Sequence, residues 1–130
     1  MMAEPEFYAR VSARAGVPVE TARALTEATL RTLAERISGG EADDLSAHVA
    51  HELRPLLARA RVEDPEVFGY DEFLRRVAER SGATPSDAER GARAVLQALH
   101  RVIGPAQFNR ALSQLPREIA ELAQPTPRPA

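Results

Sequence analysis

Three residue types are missing from this chain of 130 residues, and two of the absences close off chemistry. There is no cysteine, which excludes disulfides, thiolate nucleophiles, cysteine-ligated zinc and iron–sulfur clusters. There is no lysine either, since all 17 basic residues are arginine. A Schiff-base lysine and the lysine of a phosphate-binding loop are therefore excluded as well. Tryptophan is absent and aromatics make up only 5%, so a core has to come chiefly from Ala, Leu and Val, which suits close helix packing. No apolar run approaches the ~20 residues of a membrane helix. The opening stretch MMAEPEFYAR is acidic and interrupted by Pro5, unlike a secretory signal. The chain reads as a cytoplasmic protein.

An excess of one charge is lacking too. The formal net charge is -2, and acids and arginines are spread evenly over the two halves. Neither half has the basic surplus of a protein that holds nucleic acid electrostatically.

What the chain does contain is itself, twice. FYARVSARAG at residues 7–16 returns as FLRRVAERSG at residues 73–82, and the two halves align without a gap at an offset of 66. Phe7 meets Phe73, Val11 meets Val77, Gly16 meets Gly82, Ala28 meets Ala94, Leu30 meets Leu96, Leu33 meets Leu99 and Ile37 meets Ile103. The matches fall on apolar positions three or four apart, the spacing of a buried helix face. Punctuation repeats as well. Gly16 and Gly82 suit the left-handed position that ends a helix, and Pro18 and Pro85 suit the first turn of the next. Thr84-Pro85-Ser86-Asp87 reads as a helix start, and Ser38-Gly39-Gly40-Glu41 as a capping box. Pro116 opens a last helix, whereas its counterpart Ala50 lets the third and fourth helices of the first half run together more smoothly.

These signals predict an all-α fold of about eight helices, at 5–15, 18–37, 40–49, 51–60, 71–81, 85–103, 105–114 and 116–123. Repeat one is 5–61, the linker 62–70 and repeat two 71–123. A unit of ~55 residues without a staple is marginal alone, so the expectation is one bilobed, pseudo-twofold domain over residues 1–123. The tail 124–130, QPTPRPA, is rich in proline and reads as disordered.

The recurring pattern is Phe–x3–Val, a small turn, an Ala and Val-Leu-x-x-Leu core, a Gly-bounded turn and a Leu-Pro. It is fullest in FLRRVAERSGATPSDAERGARAVLQALHRVIGPAQFNRALSQLPREI. This resembles the bacterial domain of unknown function 2267 family. The first half resembles it with Val49-Ala50 in place of Leu-Pro. The resemblance implies an all-helical bacterial protein and carries no catalytic residue over.

Candidate chemistry is sparse. His48 and His51, with Asp44, could share a helix face, but the spacing is neither HExxH nor a pair of ExxH motifs, and the corresponding Gln114 and Arg117 offer no matching half-site. Solvated histidines are the expectation, with no metal, no cofactor and no catalytic residue assigned. His100 has no nucleophile setting around it. Glu41, Asp43 and Asp44 suit a helix first turn. RAGVPVETARALTEATLRTL could be a helix-turn-helix, yet its second helix carries the buried stripe Ala22, Leu25, Leu30, Leu33 and Ile37. Nucleic acid, if bound, would map to Arg75, Arg76, Arg80 or Arg93. The favoured reading is a non-enzymatic helical interaction module that binds a protein partner or itself. Its alternatives are a nucleic-acid-binding accessory and an uncharacterised enzyme or small-ligand binder. Phe108 and Leu112, which replace Ala42 and Ser46, are the candidate interaction surface, with a shared-core role as the competing explanation.

Overall fold

Where apolar residues recur every three or four positions, the chain coils so as to bury them on one face. The computed structural model describes residues 2–57 and 65–124, and among them it contains eight helices and no strand. They are α1 (Glu4–Ala15), α2 (Val19–Arg36), α3 (Gly39–Ser46), α4 (Arg54–Leu57), α5 (Tyr70–Ser81), α6 (Pro85–Ile103), α7 (Pro105–Leu112) and α8 (Arg117–Leu122). A 3-10 turn, His51–Leu53, leads into α4. Residues 58–60 of the expected fourth helix, the first part of the linker and nearly all of the expected disordered tail lie outside the described residues.

The punctuation acts largely as its chemistry demands. Gly16 and Gly82 end α1 and α5 at φ 69° and 74°, a conformation that L side chains resist. Thr84 caps α6 by accepting the Asp87 amide at 3.2 Å. Ser38 caps α3 in the same way, from Glu41 at 3.2 Å, but the box is only half closed. The Ser38 amide donates instead to Gln114 Oε1 at 2.7 Å, so a residue far along the chain completes this cap. Pro18 and Pro116 stand one place earlier than expected, at the N-cap with extended ψ of 155° and 150°.

One expectation fails. The first half does not run its third and fourth helices together: α3 stops at Ser46, and Ala50 adopts φ -55°, ψ 146°. Its counterpart Pro116 has φ -55°, ψ 150°. The break is set by burial rather than by proline. Turning the chain here tucks Val49 and Leu53 into the core, as Leu115 and Ile119 are tucked in further on.

The long helices α2 and α6 pack on each other; α1 lies against both, and so does α5. Helix α3 meets α7. One cluster of buried residues runs through both halves, including Phe7, Val11, Leu25, Leu33, Phe73, Val77, Leu96 and Leu99. Corresponding residues touch at two places. A Cβ placed on Gly91 would lie 2.6 Å from Leu25 Cδ1, and Gln107 Nε2 donates to Glu41 Oε1 at 3.4 Å. The described end of the join is held down as well. Arg36 Nε donates to the Phe68 carbonyl at 2.8 Å, and the Arg76 guanidinium lies 4.0 Å from the centre of the Phe68 ring.

Phe7 and Phe73 are both buried, so Phe7→Ala and Phe73→Ala should each cost on the order of 3–5 kcal/mol. Because the core is continuous, each should lower one cooperative transition in a thermal or urea melt. Two separate transitions after Phe73→Ala would show that the halves melt independently. At Gly91 the sign of an alanine substitution should depend on Leu25. Overpacking against Leu25 costs ~1–3 kcal/mol and outweighs alanine's helix advantage of up to ~1 kcal/mol. Gly91→Ala should therefore destabilise the native chain yet stabilise a Leu25→Ala background, which a denaturant double-mutant cycle reads directly.

Candidate functional site

The helix pairs α2–α5 and α1–α6 each form a cleft. Arginines placed one turn apart on α5, Arg76 and Arg80, both face α2. Arg76 Nη1 meets Glu35 Oε1 at 3.0 Å, and Arg80 Nη2 meets Glu35 Oε2 at 2.7 Å, so each carboxylate oxygen takes one guanidinium. Glu35 is only 17% exposed. Burial pulls its carboxyl upward, and the hydrogen bonds and charges of Arg80 and Arg76 together outweigh this and hold it below the ordinary value. Arg76 also reaches Glu72 at 2.8 Å and Glu66 at 3.2 Å. Next to this knot a depression of about 660 Å³ lies between α2 and α4, lined by Glu20, Glu27 and Glu35, by Arg23 and Arg31, by Pro55 and Leu56, and at its edge by Arg80 of α5. Its three acids and three arginines balance in number, and Arg23 pairs with Glu27 as Arg80 does with Glu35.

The α1–α6 side has the opposite character. Three smaller depressions follow one another along it, of about 370, 360 and 220 Å³. They are joined by shared lining residues: Arg101 borders the first two, and Arg14 and Gln97 border the last two. Arg10 lines the first, and Arg90 and Arg93 line the last. Among the described residues lining this groove, Glu6 is the one acid. Arg90 pairs with Asp87, and Arg93 approaches Glu89 at 3.8 Å. Arg10, Arg14 and Arg101 form no ion pair among the described residues. Arg14 is oriented by a neutral group, donating to Gln97 Oε1 at 3.0 Å, while Gln97 Nε2 donates to the Gln124 carbonyl at 2.8 Å. His100, Pro105 and Ala123 complete the less polar middle of the groove.

The 66-residue offset relates the two clefts. Arg10 and Arg14 correspond to Arg76 and Arg80, and Arg101 corresponds to Glu35. Where one cleft holds an arginine–carboxylate–arginine knot, the other holds three guanidiniums. Reading the repeat for its apolar matches passes over this, because the signal lies in a mismatch, Glu35 against Arg101.

The residues singled out from sequence fall elsewhere. Phe108 is fully buried and Leu112 is 7% exposed, so both are core residues, not a displayed surface. The corresponding Ala42 is equally buried, and Phe108 spends its extra volume under the His100 ring, centroids 5.4 Å apart. His48 lies in the turn after α3 and His51 begins the 3-10 turn; both are exposed, and no continuous helix puts them on one face. His100 Nδ1 lies 3.2 Å from the Ala123 carbonyl. Of the arginines considered for nucleic acid, Arg75, Arg76 and Arg80 are engaged by Glu72, Glu79, Glu66 and Glu35. The second helix of the candidate helix-turn-helix, α2, is packed by α1, α4, α5 and α6, with Leu25, Leu30 and Leu33 fully buried.

Fold and site together define an all-helical protein with one charge-paired cleft and one arginine-lined groove. The chain belongs to the family described as "Uncharacterized conserved protein (DUF2267)", whose profile matches residues 4–122 and so spans both clefts. No curated protein matches the chain.

The Glu35 knot has a pH signature. A carboxyl held below its ordinary value of 4.5 stabilises the fold above that value, and the contribution is lost as pH falls through the lowered value. Glu35→Gln should therefore lower the melting temperature at pH 7. The gap from the native chain should narrow progressively as the melts are repeated below pH ~4.5. A gap that stays constant down to pH ~2 would mean that the ion pairs contribute nothing.

Proposed function

We propose that this protein is a non-enzymatic helical interaction module and that the α1–α6 groove is the face it offers to a partner protein. The observation that carries this reading is the contrast between the clefts: corresponding helices and corresponding arginines, with a carboxylate bridging two arginines on one side, and on the other a single lining acid, Glu6, and no ion pair to Arg10, Arg14 or Arg101 among the described residues. A guanidinium loses part of its hydration in a groove, and an opposite charge from outside can replace it. Nucleic acid is the less favoured occupant. The overall charge is -2, and all four arginines considered for it already have a carboxylate within 3.8 Å.

Two further readings belong to the same proposal. The halves are arranged about a pseudo-twofold axis, supported by the contacts between corresponding residues at Leu25–Gly91 and Glu41–Gln107. The protein works in the bacterial cytoplasm. This rests on its family resemblance; among the described residues no helix is long and apolar enough to cross a membrane.

A photo-crosslinking side chain at position 14, in the groove, should yield protein adducts in the native cell. The same group at position 79, exposed on α5, should not, and excess unmodified protein should compete the adducts away. Equal labelling from both positions, or none from position 14, would remove the groove as the binding face.

A further inference from the structure

The groove's own counterpart indicates what it binds. In the α2–α5 cleft, the group that fills the space between two arginines one turn apart is a carboxylate, one oxygen to each guanidinium. The α1–α6 groove presents the corresponding pair, Arg10 and Arg14, with Arg101 where the carboxylate would be rooted. Building on the interaction-module reading above, we infer that this groove binds an acidic segment of a partner protein, clamping a glutamate or aspartate carboxylate with Arg10, Arg14 and Arg101.

Size favours a peptide over a small free acid. From Arg90 to Arg101 the groove follows three turns of α6, about 16 Å at 1.5 Å per residue. That is the length of four or five extended residues at ~3.3 Å each. The middle depression is floored by Pro105 and Ala123, so it suits a small apolar side chain beside the acid. Planar guanidiniums match a planar carboxylate through two parallel hydrogen bonds. The exposed positions of Arg14 and Arg101 allow approach from solvent. Electrostatic contacts of this kind weaken with salt.

The test is fluorescence anisotropy of a fluorescein-labelled hexaglutamate peptide with the full chain, at low and then physiological salt. The native protein should bind, less tightly as salt rises. Arg101→Ala should weaken binding. Arg101→Glu should weaken it by roughly tenfold or more, because repulsion replaces attraction. Arg117→Glu, a charge-matched reversal at a side chain 89% exposed on α8, should leave binding nearly unchanged.

A second readout separates loss of the site from loss of the fold. Arg101→Glu places a carboxylate at the position that corresponds to Glu35, so it should raise the melting temperature while weakening binding by roughly tenfold or more. An unfolded or loosened variant cannot do both. The inference is overturned if hexaglutamate does not bind at low salt, if Arg101→Glu and Arg117→Glu weaken it equally, or if Arg101→Glu lowers the melting temperature. It is overturned equally if oligothymidylate of matched charge binds more tightly, since the groove would then select phosphate. If hexaglutamate fails while crosslinks from position 14 persist, the groove remains the binding face and only the carboxylate clamp is lost. Failure of both removes the interaction-module reading too.

Discussion

The crossing of α2 and α6 at Leu25 and Gly91 is the constraint on which the other contacts depend. These two helices are the longest in the chain, and each lies against α1 and α5. They approach so closely that a methyl group on Gly91 would sit 2.6 Å from Leu25 Cδ1, inside any possible contact distance. Leu25 is fully buried, so a side chain at position 91 would have to displace it within the core. A glycine inside a helix costs roughly 0.5–1 kcal/mol against alanine. Here it gives a leucine a flat backbone to rest on. With the central pair drawn together, α1 and α5 can each cover both long helices, and two clefts arise where they do so.

Charge then distinguishes the two clefts. Glu35 is mostly withdrawn from water, and a withdrawn carboxylate requires partners. It has them in Arg76 and Arg80, while Arg36 and Phe68 tie the neighbouring stretch down. Arg76 is placed by Glu72 and Glu66 and by the Phe68 ring as well as by Glu35, so it is fixed from several directions. Of Arg10, Arg14 and Arg101, Arg14 is anchored by Gln97. Their charges stay in water, which is tolerable because arginine stems can cover apolar surface while the head group remains hydrated.

Much of this was legible in the sequence, for physical reasons. Helix periodicity identifies buried faces because burial follows the 3.6-residue turn, and Phe7, Val11, Phe73 and Val77 are buried accordingly. Gly16 and Gly82 were legible because positive φ selects glycine. Phe108 and Leu112 were not, since extra apolar volume in a repeat looks the same whether it points inward or outward. The buried state of the corresponding Ala42 decides it, and burial is a tertiary property. The capping box was legible in composition but not in its partners, because Gln114 reaches Ser38 from the other half of the chain. The groove was hidden by averaging. Counting acids and arginines per half gives near balance, while the pairing of Glu35 with α5 leaves α1 and the end of α6 with the unmatched arginines.

The differences between the halves are of two kinds, and only one follows from the fold. Residues 25 and 91 touch each other, and two leucines could not share that space, so leucine meets glycine. Residues 41 and 107 also touch; two glutamates would repel there, so glutamate meets glutamine. Contact itself demands that such pairs differ. Glu35 and Arg101 make no such contact: they stand in separate clefts, on different helices, each facing its own pair of arginines. Arg101 forms no ion pair among the described residues; it borders one depression with Arg10 and Glu6 and another with Arg14. An account confined to folding explains Gly91 and Gln107 and leaves Arg101 without a reason. The acidic segment proposed above would supply Arg101 with an opposite charge that no ion pair among the described residues provides.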